Sequence, residues 1–385
     1  MFKSNKVPLD TVLAVLVIIL MALGLVMLYS AGYSPGEKIK NDPYYFFNRQ
    51  AAHSVLGFIV MLILWKIPYQ FWLRFSNIIM GLSVLALIAV LIEGVGVTVG
   101  GATRWLPFLS IQPSELAKLA VVIWVAKSLS QKGELVNTFR HGFLPAFLIT
   151  LVFSILILKE KDLGGALIIV ALVMGLLFVA GIKKIYFFIM GAASIPACWF
   201  MINLFRYRVS RISGWFDPWS DPQKSGYPIL HSFFGFANGG LTGVGPGGSA
   251  QKLSFLPEVH TDYIFTVVGE ELGFIGVFIV AFLFLLLCAR GLKIAKMAKD
   301  LGGFFLAPGL IMVVVLPAFL NMGVALSLWP SKGLPLPFFS YGGSSYFISC
   351  VAIGILFNIA GQGAANRAPI DRSSVVNAPM EASIS

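Results

Sequence analysis

TVLAVLVIILMALGLVMLY, residues 11–29, decides the fold. It carries no charge and matches the roughly 20 apolar residues that a helix needs to cross a bilayer. Lys3 and Lys6 precede it as the basic residues of a signal peptide would. The run is longer than a usual signal core, however, and others follow, so it reads as an uncleaved first span. Comparable runs recur as far as Ala360. They predict helices over 11–31, 51–67, 73–93, 113–129, 142–158, 163–182, 185–204, 262–289, 304–329 and 344–361. The chain reads as an all-α polytopic membrane protein of about ten transmembrane helices.

Composition agrees. Hydrophobic residues make up 58% of the 385 and charged residues 12%, against about 45–50% and 25% in soluble domains. Mean hydropathy is +0.87. The spans leave no room for a separate soluble catalytic domain. A net charge of +11 could suggest nucleic acid. The basic residues are scattered among apolar spans, though, and fit topology signals or contacts to anionic lipid and phosphate better. Nucleic acid is not an expected partner. Cys198, Cys288 and Cys350 lie inside apolar runs with no metal or disulfide spacing, so they read as packing residues.

An even number of spans places both termini on one side. Short loops on the amino-terminal side carry Lys127, Lys132, Lys183, Lys184, Lys293 and Lys296, which predicts cytoplasmic termini. On that frame residues 1–10 are a cytoplasmic amino terminus, 11–361 the membrane domain and 362–385 a polar, disordered cytoplasmic tail. Residues 205–261 form a large extracytoplasmic loop between helices seven and eight. That loop is too long for a plain connector. It holds WFDPWSDP (215–222), an apolar stretch (229–237) and a glycine-rich stretch (239–248). It is expected to re-enter the bilayer or lie along it, sheltered by protein or lining a wet cavity.

Ionisable residues at spans are costly, so their positions are informative. They gather in GGATRWLPF (100–108), IQPSELAKLA (111–120), KEKDLGGAL (159–167), LPEVHTDYIFTVVGEELG (256–273) and KGLPLPFFSYGGSS (332–345), with Arg49 and Gln50 opening helix two. All fall in the outer half, and one outward-facing polar cavity is the economical account. Glu115 and Lys118 share a helix face, and with Asp162 they read first as a structural ion-pair network. Arg208 and Arg211 read equally as interfacial anchors, and His260 first as a cap or hydrogen-bond partner. Asp262 stands at the water–membrane boundary in the first turn of a helix. There a carboxylate suits a general base, with a plain N-cap as the alternative. GVGPGG (243–248) matches a nucleotide fingerprint only formally, because no strand–turn–helix unit surrounds it.

At these clusters the sequence resembles the SEDS family of peptidoglycan glycosyltransferases. The matching stretches are NRQ (48–50), RWLPF with IQPSELAKL (104–119), KDLGGAL (161–167), FDPWSDPQKSGYP (216–228), 235–273 and KGLPLPFFSYGGSS (332–345). GVGPGGSAQKLSFLPE looks more like the cell-division members than the elongation members, while Pro228 and His231 stand where glutamine is common. The resemblance implies polymerisation of lipid II with inversion at the donor sugar, at the outer face of the inner membrane and at the division septum. It implies Asp262 as the essential carboxylate, with Glu258 as a positioning residue beside it. Arg49, Arg104, Lys118, Lys252 and Lys332 are implied as cations for the leaving pyrophosphate, with His260, Ser340 and Ser344 as further substrate contacts. No cofactor is required, with room left for a divalent cation, Mg2+ or Mn2+. The implied partners are a class B penicillin-binding protein and other divisome proteins. An elongation-type polymerase, a lipid II flippase and a noncatalytic scaffold are the rival readings. The glycine-rich stretch 239–248 is expected to act as a gate beside the base, with close helix packing as the alternative.

Overall fold

The computed structural model describes residues 8–99, 102–106, 112–203, 206–253 and 255–365. The chain begins with α1 (Thr11–Lys40) and α2 (Tyr45–Lys66), and a short α3 (Tyr69–Arg74) turns it into α4 (Ser76–Val90). An antiparallel hairpin of β1 (Val97–Val99) and β2 (Ala102–Trp105) leads to α5 (Pro113–Ser130), α6 (Leu144–Lys159) and α7 (Leu163–Val179). Then come α8 (Lys184–Asn203), α9 (Arg206–Phe216), α10 (Tyr227–Gly239), α11 (Ile264–Lys296), α12 (Leu301–Ala325) and α13 (Gly343–Ala365). Leaving out α3, α9 and α10, the described helices correspond to the ten expected spans. Thr11 and Ala365 lie at one end of this bundle. The hairpin, the α6–α7 turn, α9, α10 and the 326–342 loop gather at the other, which also holds Asp262.

Among the described residues seven helical segments are long and apolar enough to cross a membrane. The α4 and α7 helices are apolar but shorter, and α5 carries Glu115, Lys118 and Lys127. Packing explains α5: it lies against α4, α7 and α12, so Glu115 and Lys118 are buried in protein. The expected boundaries also shift. The α1 helix continues past residue 31 through Pro35 to Lys40. Arg49 and Gln50 sit inside α2 rather than opening it. The final helix reaches Ala365, so residues 362–365 are helical and not part of a tail. Residues 1–7 and 366–385 lie outside the described residues.

The α11 helix breaks where the sequence reads as one continuous helix. Gly273 has φ 66° and ψ −166°, a conformation open to glycine and strained for other residues. The glycine-rich stretch takes up the backbone groups that the break releases. Val244 and Gly245 donate N–H to the carbonyls of Glu270 (3.0 Å) and Glu271 (3.1 Å). Phe274 and Ile275 donate to the carbonyls of Gly240 (2.9 Å) and Leu241 (3.2 Å). Non-helical backbone at membrane depth requires such partners.

The two carboxylates at the break are also satisfied. Glu270 accepts from Asn238 Nδ2 (2.9 Å), the N–H groups of Ala250 (3.1 Å) and Gln251 (3.2 Å), and Ser249 Oγ. Glu271 accepts from Ser30 Oγ (2.5 Å) and Lys252 Nζ (2.9 Å). The stretch is therefore a splint knitted into α11, the close packing that stood as the alternative to a gate.

Candidate active site

The turn before α11 is built to present Asp262. Glu258 adopts φ 50°, and its carbonyl accepts N–H groups from Thr261 (3.2 Å), Asp262 (2.9 Å) and Tyr263 (3.4 Å). Asn321 Nδ2, on α12, donates to the carbonyls of Asp262 (2.8 Å) and Leu334 (2.6 Å). Ser340 Oγ donates to the carbonyl of Thr261 and accepts the N–H of Leu336 (2.8 Å). These bonds fasten the 257–263 turn to the 326–342 loop. The Asp262 carboxylate then lies against Gly333, where an added Cβ would come within 3.1 Å of Oδ2. It does not cap α11: the N-cap is Tyr263, without a side-chain bond.

The charges around this carboxylate come from several elements. Burial pushes Asp262 up to about 7 and Glu258 adds to the rise, while Arg211, Thr261 and Arg104 oppose it. Arg104 projects from β2 onto the α6–α7 turn, donating to the carbonyls of Lys161 (3.0 Å) and Glu160 (3.4 Å). Arg208, on α9, donates to the same Lys161 carbonyl (3.1 Å) and to that of Met201 (2.8 Å). Asp162 caps α7 through the N–H of Gly165 (2.9 Å). Gly164 leaves room for Lys332, whose Cε lies 3.3 Å from where a Cβ would be. Burial pulls the Lys332 ammonium below its ordinary range, and Asp162 resists this. Lys332 makes no ion pair among the described residues. A carboxyl that can take a proton thus shares one site with Arg104, Arg211 and Lys332.

Several other candidates are placed differently. Lys252 is corrected: its ammonium bonds Glu271 (2.9 Å) and Ser30 (2.8 Å) in the buried splint, so its charge is already used. Lys118 is buried and bonded to Glu115 (2.7 Å), as the structural reading of this pair has it. Asp162 does not join that pair; it caps α7 beside Lys332. His260 is buried, with its ring 4.2 Å from that of Phe46, and burial pulls it toward the neutral form. It packs the turn against Phe46 and Tyr341. Ser340 and Ser344 are backbone clamps, the latter accepting the N–H of Gln112 (3.0 Å). Arg49 is exposed, its guanidinium 4.7 Å from the centre of the Tyr45 ring. Among the described residues no three His, Cys, Asp or Glu side chains converge as a metal cage.

Two groups carried more weight than the sequence suggested. Arg211, read equally as an interfacial anchor, is the first cation acting on Asp262. Its signal was its spacing of three from Arg208 on one helix. Glu160 is buried with neither carboxyl oxygen bonded, and burial pushes it up to about 8. Nothing in KEKDLGGAL separates it from an exposed loop residue. For the α5 pair a stability result is expected. Lys118→Ala, which strands the Glu115 carboxylate, should destabilise the protein by about 3–5 kcal/mol. Lys118→Ala with Glu115→Gln should recover much of that loss in thermal unfolding.

Fold and site together define a polytopic membrane protein with a carboxylate-and-cation site at one end of its helical bundle. The chain belongs to the family of cell cycle proteins FtsW, RodA and SpoVE, whose family model matches residues 10–364. It is 41% identical to a probable peptidoglycan glycosyltransferase FtsW of Geobacter metallireducens, over 93% of this chain and 97% of that protein. It is 36% identical to the stage V sporulation protein E of Bacillus subtilis, over 93% and 98%. Among solved structures it resembles a chain of a peptidoglycan synthase complex that coordinates polymerization and crosslinking. That likeness has a TM-score of 0.75 at 28% identity, over 91% of this chain and 97% of the other. The rod shape determining protein RodA of Thermus thermophilus gives 0.68 at 27%, over 92% and 98%.

Proposed function

We propose that this chain is a peptidoglycan glycosyltransferase of cell division, polymerising lipid II at the outer face of the cytoplasmic membrane, with both termini inside. The observation that carries the reading is Asp262, tuned to about 7 with Arg211 and Arg104 acting on it, and lying against Gly333, the chain neighbour of Lys332. A general base works best with a pKa near the operating pH. The Asp262 carboxylate takes the proton of the acceptor's GlcNAc 4-hydroxyl as that oxygen attacks C1 of the donor MurNAc. The bond from C1 to the pyrophosphate oxygen breaks and the anomeric centre inverts. Undecaprenyl pyrophosphate leaves carrying the electron pair, and its charge is met by the three cations.

No step is assigned to a metal ion. A Mg2+ or Mn2+ ion arriving with the pyrophosphate would take most of its ligands from phosphate and water. The similarity to a chain of a synthase complex supports a penicillin-binding partner that crosslinks the product, at the septum with other divisome proteins. Against a flippase stands the middle of the bundle, where Ile169, Leu172, Val173, Leu310 and Val314 are buried and apolar. The test incubates the purified protein and its partner with labelled lipid II while transpeptidation is blocked. Glycan ladders establish the enzyme. Lipid II moved between leaflets without ladders would establish the transporter.

A further inference from the structure

The end of the bundle opposite Asp262 holds a crevice of about 470 Å³ between α3, the end of α5 and the start of α12. That volume lies within the usual range of ligand sites. Arg74 enters it from α3 and Lys127 from α5, with Gln70, Ser130 and Gln131 around them. Neither cation makes an ion pair among the described residues. The one carboxylate in the lining, Asp300, is turned to the protein: Oδ1 accepts the N–H of Gly303 (2.8 Å) and Oδ2 faces Gln70 Nε2 (3.5 Å). The crevice therefore offers two cations without an ion pair and neutral hydrogen-bonding side chains, while the first turn of α12 is already capped by Asp300. This donor set suits a phosphate.

The neighbouring surface says what carries that phosphate. The α4 helix leaves the crevice at Ser76 and exposes Ile78, Leu82 and Leu85 at 58%, 59% and 62%. The spacing puts all three on one face. An apolar strip beginning beside a basic crevice matches an acyl chain below a phosphate headgroup.

We propose that this crevice binds the phosphate headgroup of an anionic phospholipid, with a chain along the exposed face of α4. The site is separate from the glycosyl-transfer site and does not depend on the reading of the latter. Arg74 and Lys127 each contribute about a fivefold gain in affinity, the net scale of one direct hydrogen bond to the phosphate.

The experiment places the full-length protein in nanodiscs of phosphatidylcholine with or without phosphatidylglycerol, and counts retained phosphatidylglycerol by native mass spectrometry. Arg74→Gln/Lys127→Gln is compared with Lys183→Gln/Lys184→Gln, which removes the same charge elsewhere. The crevice variant should bind phosphatidylglycerol about thirtyfold more weakly through loss of both bonds, with the control close to wild type. Equal loss in both variants would reduce the crevice to general basic charge and overturn the proposal. Unchanged melting of the crevice variant in pure phosphatidylcholine shows that it is folded. Glycerol phosphate is the second probe, in phosphatidylcholine alone. If it raises the melting temperature as much as phosphatidylglycerol does, the crevice takes a soluble phosphate and the lipid proposal fails.

Discussion

Asp262→Asn should remove glycan polymerisation, by about 10²–10⁴-fold on the scale of a lost general base, and leave the protein folded. The asparagine keeps the size of the side chain and does not disturb the turn. The backbone of position 262 is held by Glu258 and Asn321, and the amide keeps an oxygen for the side-chain bond with Thr261. The amide simply cannot accept the acceptor's proton. Because burial holds the wild-type carboxyl at about 7, turnover should rise as pH increases through about 7 and then level off. Stability should run the other way. The folded protein holds this proton more tightly than the unfolded chain, whose carboxyl titrates near 4. Folding therefore loses stability as pH rises from about 4 to about 7. Asparagine never ionises, so the variant should melt at or above the wild type at pH 8 and lose that advantage at pH 4. A well-folded Asp262→Asn protein that still makes glycan ladders at near wild-type rate would remove Asp262 from the role of base.

How far the sequence carried the reading depends on the range of the interaction. The spans were legible because an apolar run of bilayer length has few other uses. Asp262 was legible because a charged group beside such a run stands out. The missed features pair residues far apart in the chain. Nothing near Lys252 announces Glu271, nineteen residues on and inside α11, so the lysine read as a free cation for substrate. Lys118 had its partner three residues away and was legible as an ion pair. Its burial, which follows from the packing of α5 against α4, α7 and α12, was not. The break at Gly273 escaped for the same reason. IFTVVGEELGFIGVF reads as uninterrupted helix until the 240–245 backbone is seen to supply its missing partners.

That break also reverses the expectation for the glycines. Gly243→Val should leave little folded protein, with a loss above about 4 kcal/mol, because backbone strain and a close clash coincide. A Cβ at Gly243 would sit 2.1 Å from the carbonyl oxygen of Glu271 and 2.7 Å from the nitrogen of Gly273, and φ there is +82°. None of those atoms can retreat without breaking the bonds that hold the two parts of α11 together. Gly245 is the internal comparison. It has φ +95°, but a Cβ there meets nothing within 4 Å, so Gly245→Ala bears backbone strain alone, about 1–3 kcal/mol. A gate would need both positions to move and would lose turnover at either one while melting stayed constant. A splint predicts that activity follows folded protein at both, with Gly243 much the worse. The measurement is melting temperature and ladder formation per folded molecule for Gly243→Ala, Gly243→Val and Gly245→Ala. If Gly243→Ala melts like the wild type yet polymerises poorly, the segment moves during turnover and the splint is wrong.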